Sequence, residues 1–125
     1  MRRQILCAFA LLGLCTGATA QEAAELGEKV FRRCAACHSV EAGTKKVGPD
    51  LAGIVGRPVA SVEGFAYSEA MLAFAEGGKA WDKETLAAYI TAPRETVPDT
   101  KMAFAGLRKQ EDVDNLIVYL EQAAE

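Results

Sequence analysis

The chain has 125 residues, half of them apolar and a quarter charged, with 14 basic against 17 acidic side chains and a net charge of −3. That length fits one domain, and the acidic balance argues against a nucleic-acid binder. Four cysteines and one histidine stand out against this background.

The first twenty residues read as an address. Arg2 and Arg3 precede an apolar run from Ile5 to Leu14, and Ala18-Thr19-Ala20 supplies a small-x-small cleavage pattern. This predicts a secretory signal over residues 1–20, cleaved before Gln21, with residues 21–125 as one domain. The apolar run is too short for a membrane anchor, which needs about 20 residues. Leu14 argues against Cys15 as a lipidated residue, because a small residue is wanted before such a cysteine. Removing the leader takes Cys7 and Cys15 away and leaves 12 basic and 17 acidic residues, a net of −5.

Four helices are predicted beyond the leader. The first runs from about Ala24 to Ala35 with Leu26, Val30 and Phe31 on one side, and Gly27 admits a close backbone there. The stretch "GTKKVGPDLAGIVGRPVASVEG" is glycine-rich and carries Pro49 and Pro58, so it reads as loop and turn, with Asp50 capping one turn through Ile54. The second helix spans Ser68 to about Glu76 with Ser68 as N-cap. The third starts after Asp82, carries Leu86, Tyr89 and Ile90, and stops at Pro93. In the last, Val113, Leu116, Ile117 and Leu120 fall at i, i+3, i+4 and i+7, and Glu111, Asp112 and Asp114 crowd its start, where the helix dipole favours acids. No stretch alternates as a strand. The class is all-α, and short helices with long loops bury too little surface to offset the entropy of ordering. Such a fold needs a large apolar group at its centre.

"FRRCAACHSV" decides what that group is. A redox thiol pair would sit at a strand-to-helix junction, and no strands are predicted. A structural zinc site needs four donors and a catalytic one three, whereas the mature chain offers two cysteines and one histidine. A plain disulfide would leave the histidine incidental. C-x-x-C-H is the signature of c-type haem attachment. On a helix, Cys34 and Cys37 are three apart and face the same way, so each sulfur can add to one vinyl group of the porphyrin. His38 lies four after Cys34 and reaches the same group as an iron ligand. With no second histidine in the mature chain, the other axial ligand falls to a methionine. Met71 reads as helical core filler. Met102, in the loop "VPDTKMAFAG", is placed between Pro98 and Gly106, and its soft sulfur suits an iron of raised potential.

The order CAACH, "VGPDLAGIVGR", "GFAYSEAM", "WDKETLAAYI" and "PDTKMAFAG", followed by an amphipathic terminal helix, resembles class I cytochromes c, nearest the cytochrome c2 and mitochondrial-like branch. The likeness covers about Leu26 to Leu120. It implies one haem c, bound through Cys34 and Cys37 and ligated by His38 and Met102. It implies that His38 donates to the carbonyl of Pro49 and that Tyr89 lies near the Met102 sulfur. Arg57, Tyr67, Trp81, Thr100 and Lys101 would hold the haem propionates, and Phe104 would pack at the haem edge. Gly27 and Phe31 would cross the last helix near Leu116 and Tyr119. Two positions depart from the family pattern: Met71 stands where asparagine is common, and Asp99 where glycine is common.

The function expected is that of a periplasmic electron carrier, not an enzyme, and a monomer without stable membrane insertion. Partners would be redox complexes: a cytochrome bc1-like donor and an oxidase, reaction centre or reductase as acceptor. Arg32, Arg33, Lys45, Lys46, Lys101, Arg108 and Lys109 would ring the haem edge, with acids gathered at both mature ends. The rivals are a peroxidase-like enzyme and a gas sensor, both of which require Met102 to be off the iron.

Overall fold

The computed structural model describes residues 19–123. The leader expected over residues 1–20 lies outside the described residues up to residue 18. The elements are α1 (Ala20–Phe31), α2 (Glu69–Phe74), α3 (Lys83–Thr91), α4 (Pro93–Thr96) and α5 (Gln110–Gln122). Among the described residues there is no strand, only an isolated antiparallel bridge between Pro58 and Ala80. The all-α expectation holds.

Helix α1 starts four residues earlier than the apolar pattern suggests and ends at Phe31, not Ala35. Thr19 and Glu22 form a capping box: Thr19 Oγ1 accepts from Glu22 N at 3.2 Å, and the Glu22 carboxylate accepts from Thr19 N at 2.9 Å. The buried stripe is Ala24, Gly27 and Phe31, one turn and two turns apart. Leu26, expected inside, is 40% exposed. The rotation follows from Gly27. A Cβ there would fall on the Asn115 carbonyl and on Tyr119 Cβ of α5, so the absence of a side chain lets the two helices cross backbone to backbone. The Phe31 and Tyr119 rings meet beside that crossing at 5.4 Å. The α1–α5 contact is the largest between helices.

The core lies between this pair and α3. Val113, Leu116, Ile117 and Leu120 of α5 are all buried, as their spacing predicts, with Leu86 and Tyr89 of α3 and the loop residues Val97 and Leu107. Lys83 at the start of α3 pairs with Glu121 of α5 at 2.8 Å on the surface, a contact of little energetic weight.

Pro93 corrects one expectation. It does stop α3 at Thr91, but it also opens α4 as that helix's first residue. A proline cannot sit inside a helix, because it lacks the N–H and crowds the preceding turn. At the first position neither objection applies. The same residue therefore ends one helix and begins another.

Asp82 caps α3 as expected, accepting from Thr85 N at 2.7 Å. The two Thr85 hydrogen bonds, backbone first, hold its carboxyl below the usual carboxylate range. The sign is that of a depressed group: the cap's contribution is complete above the unfolded pKa and fades as pH falls through the folded one. Asp82→Asn keeps an acceptor without the titration. Its thermal midpoint should fall less between pH 7 and pH 3 than the wild type's; equal falls would remove Asp82 from the acid response.

Helix α2, capped by Ser68 as expected, has no fully buried residue. Met71 and Phe74 lean on the core while Leu72 is 52% exposed. Six residues are too few for independent helical stability, so this element depends on what it covers.

Candidate haem-attachment site

After Phe31 the chain keeps winding as turns instead of helix. Cys34 N donates to Phe31 O at 2.7 Å, Cys37 N to Cys34 O at 3.0 Å, and His38 N to Cys34 O at 2.9 Å. The helical expectation for this segment is corrected, yet the last bond is the i to i−4 bond of a helical turn. Cys34, Cys37 and His38 therefore keep the spacing that a common ligand requires. Both thiols are free, Cys34 half-buried and Cys37 exposed. Burial pushes the Cys34 thiol up, with the Arg33 charge only partly opposing. That is the reverse of a redox-active cysteine, which needs a lowered pKa. Among the described residues no three His, Cys, Asp or Glu side chains converge as a metal cluster.

His38 is held from two sides. Its Nδ1 lies 2.7 Å from the Pro49 carbonyl oxygen. A carbonyl only accepts, so Nδ1 is the donor in this bond and Nε2 is the ring nitrogen it does not use. A Cβ on Gly48 would collide with the imidazole, so glycine here lets the backbone lie against the ring. The motif V-G-P-D thus supplies a cradle, a hydrogen-bond acceptor and, next in line, a buried acid.

That acid, Asp50, is only 8% exposed. Its carboxylate accepts from Gly43 N and Ala52 N, each at 3.2 Å, and pairs with Arg57 Nη1 at 3.4 Å. It does cap the turn before Ile54, but that turn is a single Leu51–Ile54 reverse turn with no helix behind it. Arg57 also donates to the Asp50 and Ala52 carbonyl oxygens at 2.9 Å. Its Nε is buried with no partner. A buried donor left unmade costs free energy, and a carboxylate is the natural acceptor for a guanidinium.

Arg57 and Trp81 are joined by the ladder bonds Trp81 N to Arg57 O (2.9 Å) and Gly56 N to Trp81 O (2.7 Å). Trp81 stacks at 5.7 Å on Phe74 and 5.1 Å on Tyr89. Tyr89 Oη meets Thr100 Oγ1 at 2.7 Å, and Thr100 Oγ1 accepts from Met102 N at 3.4 Å. Burial raises the Tyr89 pKa against the opposing Thr100 hydrogen bond, so its hydroxyl stays neutral. Met71, Met102 and Phe104 are half-buried against this wall. Tyr67 stands apart from the stack, accepting from Val62 N at 2.9 Å and meeting Phe65 edge-on at 4.8 Å. Lys101 is exposed and makes no hydrogen bond among the described residues. The structure thus gathers Arg57, Trp81, Tyr89, Thr100 and Met102, while Tyr67 and Lys101 stand outside that chain of contacts.

Three contributors escape a reading by motif: Asp50 as the anchor of Arg57, Gly48 under the imidazole, and Phe74 in the stack. Asp50 is legible as a turn cap but not as the anchor of Arg57, and Gly48 is visible only as a neighbour of Pro49. Phe74 carries no signal beyond its apolar type.

A cytochrome c family model matches residues 24–124. The chain belongs to the cytochrome c family. It is 42% identical over 123 residues to a cytochrome c2 of Blastochloris viridis, covering 98% of this chain and 94% of that one. It is 48% identical over 99 residues to the cytochrome c2 of Rhodoblastus acidophilus, 78% and 90% covered. Cytochrome cH from Methylobacterium extorquens superposes with a TM-score of 0.71 at 37% identity, over 79% of this chain and 97% of that structure. Within a cytochrome c, the free C-x-x-C-H thiols, the unpartnered Arg57 Nε and the imidazole cradle all fit a covalent haem c.

Proposed function

We propose that this cytochrome is a soluble periplasmic electron carrier, exported by a signal over residues 1–20 and working as a monomer. Cys34 and Cys37 would tether the haem, and His38 and Met102 would ligate its iron. When bound, the haem supplies a one-electron ferric/ferrous couple. The observation that supports the reading is the Nδ1 to Pro49 bond, which commits one imidazole nitrogen and would leave Nε2 to ligate the iron. Arg57, with its unused Nε, and Trp81 would meet a propionate, since a buried carboxylate needs donors. Thr100 Oγ1 is hydrogen-bonded to the Tyr89 hydroxyl and accepts the Met102 N–H, which would orient the methionine loop. Roles for Tyr67 and Lys101 at the propionates, and for Phe104 at the haem edge, rest on the family likeness alone.

If His38 and Met102 both hold the iron, the chain would leave no open position for a substrate, and the haem would serve electron transfer instead of bond-making chemistry. Partners would be a bc1-like donor and an oxidase, reaction centre or reductase acceptor. The seven basic residues named above are all exposed. They do not form a purely basic ring. Arg33 and Lys109 share a groove of about 300 Å³ with Glu111 and Asp112. Docking through such a face should be steered by charge, and electron-transfer rates to membrane complexes should fall with ionic strength; flat rates would remove the steering.

The oxidised visible spectrum tests the assignment itself. A methionine-sulfur charge-transfer band is expected. A high-spin, five-coordinate spectrum would overturn the carrier and favour a peroxidase-like or gas-binding protein.

A further inference from the structure

The chain enters the methionine loop through one tight turn. Thr100 N donates to Val97 O at 3.0 Å, closing Val97-Pro98-Asp99-Thr100. Pro98 fixes a negative φ at the second position, and Asp99 at the third has φ +64°. That is the type II pattern, whose third position calls for glycine. Aspartate carries a Cβ there at a steric cost. Among the described residues no hydrogen bond or ion pair holds its exposed side chain in compensation. Among the described residues the only other left-handed non-glycine is Ala60, in another loop.

The turn has a specific dependant. Thr100, its last residue, shares a hydrogen bond with Tyr89 Oη and accepts from Met102 N on the same oxygen. The left-handed residue must be kept only while Thr100 and Met102 hold these positions. If the loop swings away, Asp99 is free to return to an ordinary φ. The strain is therefore present in the closed loop and absent in the open one.

We propose that Asp99 sets how readily the Met102 loop opens, making this chain more accessible to small nitrogen bases than it would be with glycine at that position. Asp99 is a positioning residue: it acts through Thr100 and touches no cofactor. A base that binds only the open loop has an apparent affinity scaled by the open fraction. The backbone preference of residue 99 thus becomes a ligand-affinity preference.

The test uses the full haem-bearing protein in its ferric state, with imidazole as probe, followed by loss of the methionine-sulfur band. Asp99→Gly should weaken apparent imidazole binding about threefold, glycine's left-handed ease being partly offset by the freedom it adds to the open loop. Asp99→Ala should strengthen it by about twofold, because alanine lacks aspartate's tolerance of that region. Asp99→Asn, with the charge removed and a similar backbone preference, should match the wild type. Thermal melts of the four proteins verify folding, and the exposed turn makes collapse of the fold unexpected.

An affinity that ignores the Gly, Asp, Ala order overturns the proposal. So does an Asn variant that shifts as far as the Gly variant, which would make charge the cause. The inference rests on Met102 as iron ligand. A wild type without the sulfur band overturns that assignment and this inference together, whereas an intact band with a flat series overturns this inference alone.

Discussion

Gly27→Ala should lower unfolding stability by about 2–3 kcal/mol, against a total of about 5–15 kcal/mol for a domain of this kind. Alanine is the better helix former by about 1 kcal/mol, so a propensity argument predicts the opposite sign. The crossing decides. An added Cβ meets the Asn115 carbonyl and Tyr119 Cβ, and neither is the far end of a flexible side chain that can swing aside. Helices α1 and α5 would have to part, loosening Phe31 from Tyr119 and the burial of Ala24 and Leu116. Urea unfolding followed by helix signal measures the loss. Leu26→Ala, one residue away on the partly exposed side, should change stability by about 0.5 kcal/mol or less. A Gly27→Ala variant as stable as the wild type would mean that the crossing is not close.

Met102→Ala should remove the sulfur charge-transfer band, lower the reduction potential by an amount on the order of tenths of a volt, and allow exogenous ligands to bind without a loop-opening step. On the proposed ligation, losing the Met102 thioether would take away the soft ligand that favours ferrous iron. Met71→Ala should leave the band intact, because Met71 lies on α2 against the core and the stack. Its effect should be on stability, through a lost core contact of about 2 kcal/mol or more if the site does not collapse. Spectra and potentiometric titration of the two variants separate the methionines. A band that survives in Met102→Ala, or disappears in Met71→Ala, would move the ligand assignment.

The attachment motif and the terminal helix were legible because their signals are local. C-x-x-C-H carries its chemistry in its spacing, and the turn geometry keeps Cys34, Cys37 and His38 on one side even though helix α1 has already ended. The four apolar positions of α5 match their buried face because a helix of 13 residues presents a full period. The Ser68 and Asp82 caps were likewise readable, each being a bond between a side chain and a backbone group three residues on.

The errors have a common physical origin. On α1, hydrophobicity points Leu26 inward, whereas a backbone crossing at Gly27 sets the rotation and leaves Leu26 partly exposed. Helix α4 escaped because a proline that stops one helix gives no local sign that it starts another. Arg57 has a meaning by sequence only through family likeness. In space its partners are the Asp50 carboxylate and two carbonyls, and its buried Nε has none.

By itself, then, the sequence determined the all-α class, the C-x-x-C-H signature, the Ser68 and Asp82 caps and the buried face of α5, all matters of spacing within a few residues. Tertiary structure alone decided the electrostatics and the strain. Asp50 is buried, Arg57 keeps an unused donor, and Asp99 is caught in a left-handed turn. Such properties depend on what distant segments place beside a residue, and no local pattern encodes them.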